Sequence, residues 1–162
     1  MSPHFVQWLK NSATQTQTMT ETKRECGECG ACCEGWLTGV VRDREFYPGM
    51  PCHFRGCDGC SIYEDRPESP CKTYSCEWLK SDNLPMWMKP SESGVIISGK
   101  EWVDVDGAKQ VFLEVLEMGK KIDPTVLNWL FQLYLRTAIP MKIQIDGGHN
   151  LYGTAEFLNA IK

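Results

Sequence analysis

The nine cysteines of this chain lie between residues 26 and 76, and the later residues contain none. The run begins with the segment CGECGACC at residue 26. A C-x2-C pair followed by glycine is typical of a metal knuckle, because its tight turn brings two sulfurs to one ion. The overlapping C-x2-C-x2-C spacing is also typical of a loop that wraps an iron-sulfur cluster. The spacing therefore predicts a metal site and leaves zinc and iron both open.

Cys32 and Cys33 are adjacent in the sequence, and adjacent side chains leave the backbone in different directions. We therefore do not expect both thiolates to bind the same ion. We interpret the pair as serving two metal centres, or one centre and a reactive thiol.

A disulfide framework is the competing interpretation of so many cysteines. However, their number is odd, and the opening MSPHFVQWLK lacks the charged start, apolar middle and cleavage site of a secretory signal. No apolar run approaches the ~20 residues that span a bilayer. We therefore expect a cytoplasmic protein, in which a reducing environment keeps thiols free for metal or redox chemistry.

The charge pattern bears on the class of partner. The formal net charge is -4, and acidic and basic residues are scattered in both signs. A protein that tracks phosphates carries a basic stripe, and this sequence has none. We therefore expect metal ions as ligands and neither nucleic acid nor a membrane as a partner. A protein partner or a homo-oligomer remains open.

Three segments of the chain differ in composition. Residues 1–25 are polar, rich in Thr and Gln and without periodicity, which predicts a flexible N-terminal arm. Residues 26–80 are dominated by Gly, Pro, Asp and Cys, and we expect a loop-rich cysteine lobe that metal holds together. Residues 81–162 have ordinary apolar periodicity and are expected to form an α+β lobe of the same compact unit.

The elements of this second lobe must position the cysteines. Segments 94–98, 101–105 and 110–117 are rich in β-branched or aromatic residues and predict an antiparallel meander. A last strand is expected at MKIQID, and Thr154 is expected to cap a short terminal helix. The predicted fold class is α+β, with the loop-rich cysteine lobe packed on a small antiparallel sheet and one main helix.

The main helix has clear start and periodicity signals. Asp123 is the expected N-cap, and Pro124 suits the first helical position. Apolar residues recur at helical spacing, and a second apolar stripe suggests cover by the sheet and by either the cysteine lobe or another subunit. The first stripe consists of Leu127, Leu130, Phe131 and Tyr134.

Downstream of the first cysteines the sequence reads PCHFRGCDGCSIYEDRPESPCKTYSCEW. Together with the opening C-x2-C-x2-C-C, this pattern resembles the CxxCxxCC cysteine-cluster family, which is described as a zinc- or iron-chelating domain. The resemblance covers residues 26 to about 79 and implies eight metal-binding cysteines. They are Cys26, Cys29, Cys32, Cys33, Cys52, Cys60, Cys71 and Cys76.

Spacing and resemblance disagree on the ninth cysteine. By spacing, Cys57 and Cys60 form a second C-x2-C knuckle. The family pattern has no cysteine at the position of Cys57. Eight thiolates divide evenly into two four-ligand centres, so we follow the resemblance and expect Cys57 to be a spare thiol.

Two residues of the IYEDRP segment are candidates for binding the cofactor. Tyr63 can pack its ring beside the metal or cluster, and Arg66 can donate hydrogen bonds to thiolates. The competing interpretation is that Arg66 only forms a structural ion pair, for example with Glu64. His53 could replace one thiolate in a Cys3His site, but a packing or surface histidine is the simpler interpretation because enough sulfurs are present.

Two classes of function follow from these residues. In the first, the protein is a binding module that chelates zinc or iron, the iron as single ions or as an iron-sulfur cluster. In the second, an iron-sulfur centre supports oxidoreduction or group transfer, since the resemblance extends to proteins labelled Fe-S oxidoreductases and to flagellin lysine-N-methylases. The sequence identifies no catalytic residue and no second substrate site, which favours the binding module.

Overall fold

Residues 24–161 are described by a computed structural model. The predicted flexible arm, residues 1–25, lies outside the described residues except for Arg24 and Glu25. The guanidinium of Arg24 donates a hydrogen bond to the Trp78 carbonyl at 2.8 Å and lies 5.2 Å from the centre of the Trp78 ring. The start of the described chain is thereby attached to the end of the cysteine lobe.

The cysteine lobe, residues 26–80, consists mainly of turns and short hairpins. A single helical turn covers Ala31–Cys33, and a wider turn covers Glu68–Lys72. Four strands form two separate antiparallel pairs, β1 with β2 and β3 with β4. They are β1 (Gly39–Val41), β2 (Arg44–Phe46), β3 (Arg55–Gly56) and β4 (Gly59–Cys60).

Short helices connect the cysteine lobe to the main sheet. Helix α1 spans Glu77–Lys80, a helical turn spans Met86–Met88, and helix α2 spans Pro90–Ser93. Trp78 is buried on α1, and its indole N–H donates to the carbonyl of Met86 at 3.1 Å. The buried tryptophan packs the end of the cysteine lobe into the core of the sheet.

The main sheet begins with a long hairpin of strands β5 (Val95–Val103) and β6 (Lys109–Glu117). Residues 94–98 and 101–105 were predicted as two strands, and this prediction is wrong, because β5 continues through Gly99, which pairs with Leu113 on β6. The turn is where Asp106-Gly107 predicts it. The Asp104 carboxylate accepts hydrogen bonds there, one of them from the Ala108 N–H at 2.8 Å.

Helix α3 spans Pro124–Thr137 and carries the chain across the sheet. As predicted, the Asp123 side chain caps it, accepting a hydrogen bond from the Thr125 N–H at 2.7 Å. Strand β7 (Met141–Ile145) then runs parallel to β6. The sheet is therefore mixed where an all-antiparallel sheet was predicted, because a helical crossover brings the chain back in its original direction.

Strand β8 (Gly148–Tyr152) pairs antiparallel with β7 and completes the order β5-β6-β7-β8. Helix α4 (Ala155–Ala160) follows, and Thr154 caps it as predicted, accepting a hydrogen bond from the Phe157 N–H at 3.2 Å. Phe157 is buried against Trp102 and Phe112. The predicted α+β class is confirmed.

The core of the molecule lies between α3 and the sheet. Leu130 is 0% exposed, whereas Phe131, predicted to share its stripe, is 48% exposed. The buried face of α3 is instead formed by Val126, Leu130 and Leu133. Within residues 24–161, no helix combines the length and apolarity needed to cross a bilayer.

Candidate metal-binding site

The first cysteines lie on tight turns, as the spacing predicts. The Cys29 N–H donates to the Cys26 carbonyl at 2.9 Å, and the Cys33 N–H donates to the Gly30 carbonyl at 2.8 Å. Gly27 has a φ of 53°, in the left-handed region that glycine adopts without a Cβ clash. The turn geometry therefore explains the glycine after Cys26.

Four thiols form what we call the first cysteine set: Cys26, Cys29, Cys32 and Cys76. Burial raises the pKa of Cys32 to about 12, and the charges of its chain neighbour Cys33 and of the other three members raise it further. Burial also raises the pKa of Cys76, with contributions from Cys26 and Cys29. These four thiols are therefore electrostatic neighbours, although Cys76 is distant in the sequence.

Four further thiols form the second cysteine set: Cys33, Cys52, Cys60 and Cys71. Burial raises the pKa of Cys33 to about 11, and the charges of Cys52, Cys71 and Cys60 add to the effect. The pKa of Cys71 is raised by burial and then by Cys52 and Cys60. Adjacent residues, Cys32 and Cys33, thus belong to different sets.

Packing agrees with this division for five of the eight cysteines. Cys76 is buried in the main core, against which Cys29 also packs. Cys52 is buried in a smaller apolar cluster of the lobe, against which Cys33 and Cys71 pack. Main-chain pairing supports the second set, because the Cys52 N–H donates to the Cys33 carbonyl at 2.8 Å.

Cys57 is assigned to neither set. It is exposed in the turn between β3 and β4. Its charge acts on Arg55, and it is not among the main causes of the raised pKa of any thiol in the two sets. All nine cysteines are free thiols.

Tyr63 and Arg66 contact each other beside the cysteines. The Arg66 guanidinium lies 3.7 Å from the centre of the Tyr63 ring, and its Nε donates to the Tyr63 carbonyl at 2.8 Å. The Arg66 charge lowers the pKa of Cys26, in the first set, and of Cys71, in the second, although burial is the larger effect at both thiols. Arg66 therefore lies near both sets.

Other positive groups near the cysteines had no signal in the sequence. Lys89 lies 5.6 Å from the Trp78 ring, and its charge opposes the burial that raises the pKa of Cys26. Arg55 binds the carboxylate of Glu34 at 2.8 Å, and its charge acts on Cys33. Neither cation belongs to a metal-binding motif, so only the fold identifies them.

His53, the weaker ligand candidate, contacts other residues. Its ring lies edge-on to Phe54, and its Nδ1 is 3.4 Å from the Arg44 guanidinium. His53 is exposed, and these contacts are those of a surface or packing histidine.

Cysteine thiols are suitable ligands for zinc and iron. The thiols of each set are, however, not close enough together to hold an ion without moving. In the described part of the chain, no three or more His, Cys, Asp or Glu side chains already form a group that could hold an ion. A zinc ion would draw four sulfurs to roughly 2.3 Å from itself. The raised pKa values keep Cys32 and Cys33 neutral, so an ion would have to displace their protons. Binding would thus combine proton release with inward movement of the thiols.

Comparison with known proteins yields no relative. No family model matches the chain, and no curated protein or solved structure is significantly similar to it. The resemblance to the CxxCxxCC cysteine-cluster family therefore remains a prediction from the cysteine pattern.

Proposed function

We propose that this protein is a cytoplasmic metal-binding module of the CxxCxxCC cysteine-cluster type that chelates two zinc or iron centres. The first cysteine set binds one centre and the second set binds the other. The observation that carries the proposal is the division of the eight cysteines into two sets of four neighbours. Four thiolates are a complete ligand set for tetrahedral zinc, and also for an iron-sulfur cluster.

The charges around the two sets support this assignment. A divalent ion with four thiolates carries a net charge of about -2, which nearby cations offset. Lys89 acts on the first set, Arg55 acts on the second, and Arg66 acts on both. Arg66 is thus a charge partner of both centres, while the Tyr63 ring fixes its position.

The two sets differ in access to solvent. Cys76 of the first set is buried, but Cys26 is exposed. The second set includes buried Cys52, and its other members are half-buried. A centre at the first set could therefore be reached by a second reactant. This exposure favours a second candidate function, an iron-sulfur enzyme that carries out oxidoreduction or group transfer at the first set.

Anaerobic purification followed by metal analysis and an absorption spectrum tests the proposal. We expect two centres for each chain. Colourless protein with two zinc ions supports the binding module, whereas brown protein that bleaches on reduction supports an iron-sulfur centre. Protein that retains no metal after anaerobic purification and incubation with zinc or iron would contradict both.

The disputed knuckle provides a matched pair of variants. Cys57→Ser should retain both centres, because Cys57 belongs to neither set and has no counterpart in the family pattern. Cys60→Ser should lose the second centre, because Cys60 is a neighbour of Cys33 and Cys71. Equal metal loss from the two variants would mean that Cys57 is a ligand.

A further inference from the structure

The guanidinium of Arg55 has one buried N–H group without a partner. Its Nη2 donates to the Glu34 carboxylate at 2.8 Å, and its Nη1 donates to the Gly56 carbonyl at 2.9 Å. The Nε is shielded from solvent and has no hydrogen-bond partner within the described residues. Buried donors in proteins are nearly always hydrogen-bonded, so this Nε–H calls for an explanation.

The unpaired Nε–H of Arg55 lies beside Gly30, which begins the turn that carries Cys33. A Cβ placed on Gly30 would lie only 2.6 Å from Nε, so Nε packs against the backbone of that glycine. The carbonyl of Gly30 accepts the hydrogen bond of the Cys33 N–H at 2.8 Å. Nε therefore lies against the turn that carries Cys33.

The main chain of Arg55 is attached to the rest of the second cysteine set. Its N–H donates to the Cys52 carbonyl at 2.9 Å, and it pairs with Cys60 in the β3–β4 hairpin. The main chain of Arg55 is therefore held next to two members of the set, Cys52 and Cys60.

We propose that Arg55 Nε–H donates a hydrogen bond to the thiolate of Cys33 when the second cysteine set holds a metal ion. The inference rests on the proposed function, because a neutral thiol is a weak acceptor and a thiolate accepts a charge-assisted hydrogen bond. Arg55 is then a positioning residue that orients the Cys33 sulfur and offsets its charge. Glu34 holds the guanidinium through the ion pair, and Gly30 leaves room for it.

Electrostatics supports this geometry. The Arg55 guanidinium is the positive group that acts on Cys33. Lys109 of the sheet lobe is an exposed cation that pairs with Glu101, so it serves as a control outside both sets.

The test compares Arg55→Lys, Arg55→Met and Lys109→Met in the full chain loaded with cobalt(II). Arg55→Lys keeps the positive charge but removes the Nε–H. Loss of an outer hydrogen bond to a metal ligand typically weakens binding by about 10–100-fold. In a chelator competition, we expect both Arg55 variants to bind one of the two cobalt ions more weakly by this factor. Lys109→Met should leave both ions unchanged.

The thiolate-to-cobalt absorption band gives a second readout that a purely structural role would not move. A hydrogen bond stabilises the sulfur electrons, so its loss should shift the band of one centre to longer wavelength. Gly30→Ala keeps Arg55 but displaces its guanidinium, and it should reproduce the shift.

The outcomes separate this inference from the proposed function. If the unchanged protein binds two ions and Arg55→Lys matches it in affinity and spectrum, the hydrogen bond is disproved and the function stands. If Arg55→Lys keeps full affinity and only Arg55→Met loses it, charge alone is responsible and the inference is wrong. If the unchanged protein binds no ion, both proposals are overturned.

Discussion

The cysteine lobe and the sheet lobe differ in how much apolar surface they bury. The sheet lobe buries an apolar core between α3 and four strands, and Val95, Val115 and Leu130 within it are fully buried. In the cysteine lobe, the separate apolar cluster has only Val41, Phe46 and Cys52 as its buried members. Apolar burial of this extent is small for a segment of this length. If the proposed function is correct, the cysteine lobe should therefore depend on bound metal for its stability more than the sheet lobe does, although its buried Trp78 also packs into the main core.

Removal of metal should give the largest difference between the two lobes. Structural zinc binding contributes about 10–16 kcal/mol at neutral pH, which is comparable to the whole stability of a domain. A strong chelator should therefore abolish amide protection in residues 26–76, including the Cys52 N–H that donates to the Cys33 carbonyl. Protection in the β5–β6 hairpin should persist. Hydrogen exchange measures both, and unchanged protection in residues 26–76 would show that metal does not hold the cysteine lobe.

Lowering the pH should release metal from the cysteine lobe before it unfolds the sheet lobe. Each thiol gives up a proton when it binds an ion, so metal affinity rises with pH and falls as the pH drops. With a pKa raised to about 12, Cys32 is protonated at neutral pH unless an ion displaces the proton. We expect metal release at a higher pH than the loss of helix α3. Zinc release followed with a chromogenic chelator and helix content followed by circular dichroism would test this order, and coincident transitions would contradict it.

A substitution in the core of the sheet lobe should lower the stability of that lobe without releasing metal. The loss of stability should be smaller than that caused by metal removal. Leu130 is 0% exposed beneath α3, and removing such a side chain typically costs about 2–5 kcal/mol. Leu135 on the same helix is 60% exposed, so Leu135→Ala should change stability by less than about 0.5 kcal/mol. Denaturant unfolding of Leu130→Ala should show the loss, while the metal content of the folded protein stays unchanged. Metal loss from folded Leu130→Ala would mean that the two lobes are not separate in stability.

The sequence predicted the elements of the sheet lobe better than their arrangement. Asp123 and Pro124 marked the start of α3 correctly, because capping is a local effect that sequence signals reveal. The parallel pairing of β6 with β7 was missed, since a local pattern does not say where a strand lands after a helix. The buried face of α3 was also misjudged at Phe131, because several of its faces are apolar.

Prediction of the candidate site from the sequence was limited in the same way. The family resemblance predicted eight metal-binding cysteines. Their assignment to two sets depends on the fold, which makes Cys76 a charge neighbour of Cys32 and makes Cys71 a charge neighbour of Cys33. Arg55 was missed because an arginine between cysteines has no motif of its own. Its buried Nε and its closeness to Gly30 are properties of the folded chain.

Native mass spectrometry of two double variants tests the two-set assignment most directly. Cys32→Ser with Cys76→Ser removes two thiols from the first set, and we expect this protein to retain one metal ion. Cys32→Ser with Cys33→Ser removes two adjacent thiols from different sets, and we expect it to retain none. If the first double variant loses both ions, or the second retains one, the eight cysteines do not form two separate four-thiolate centres.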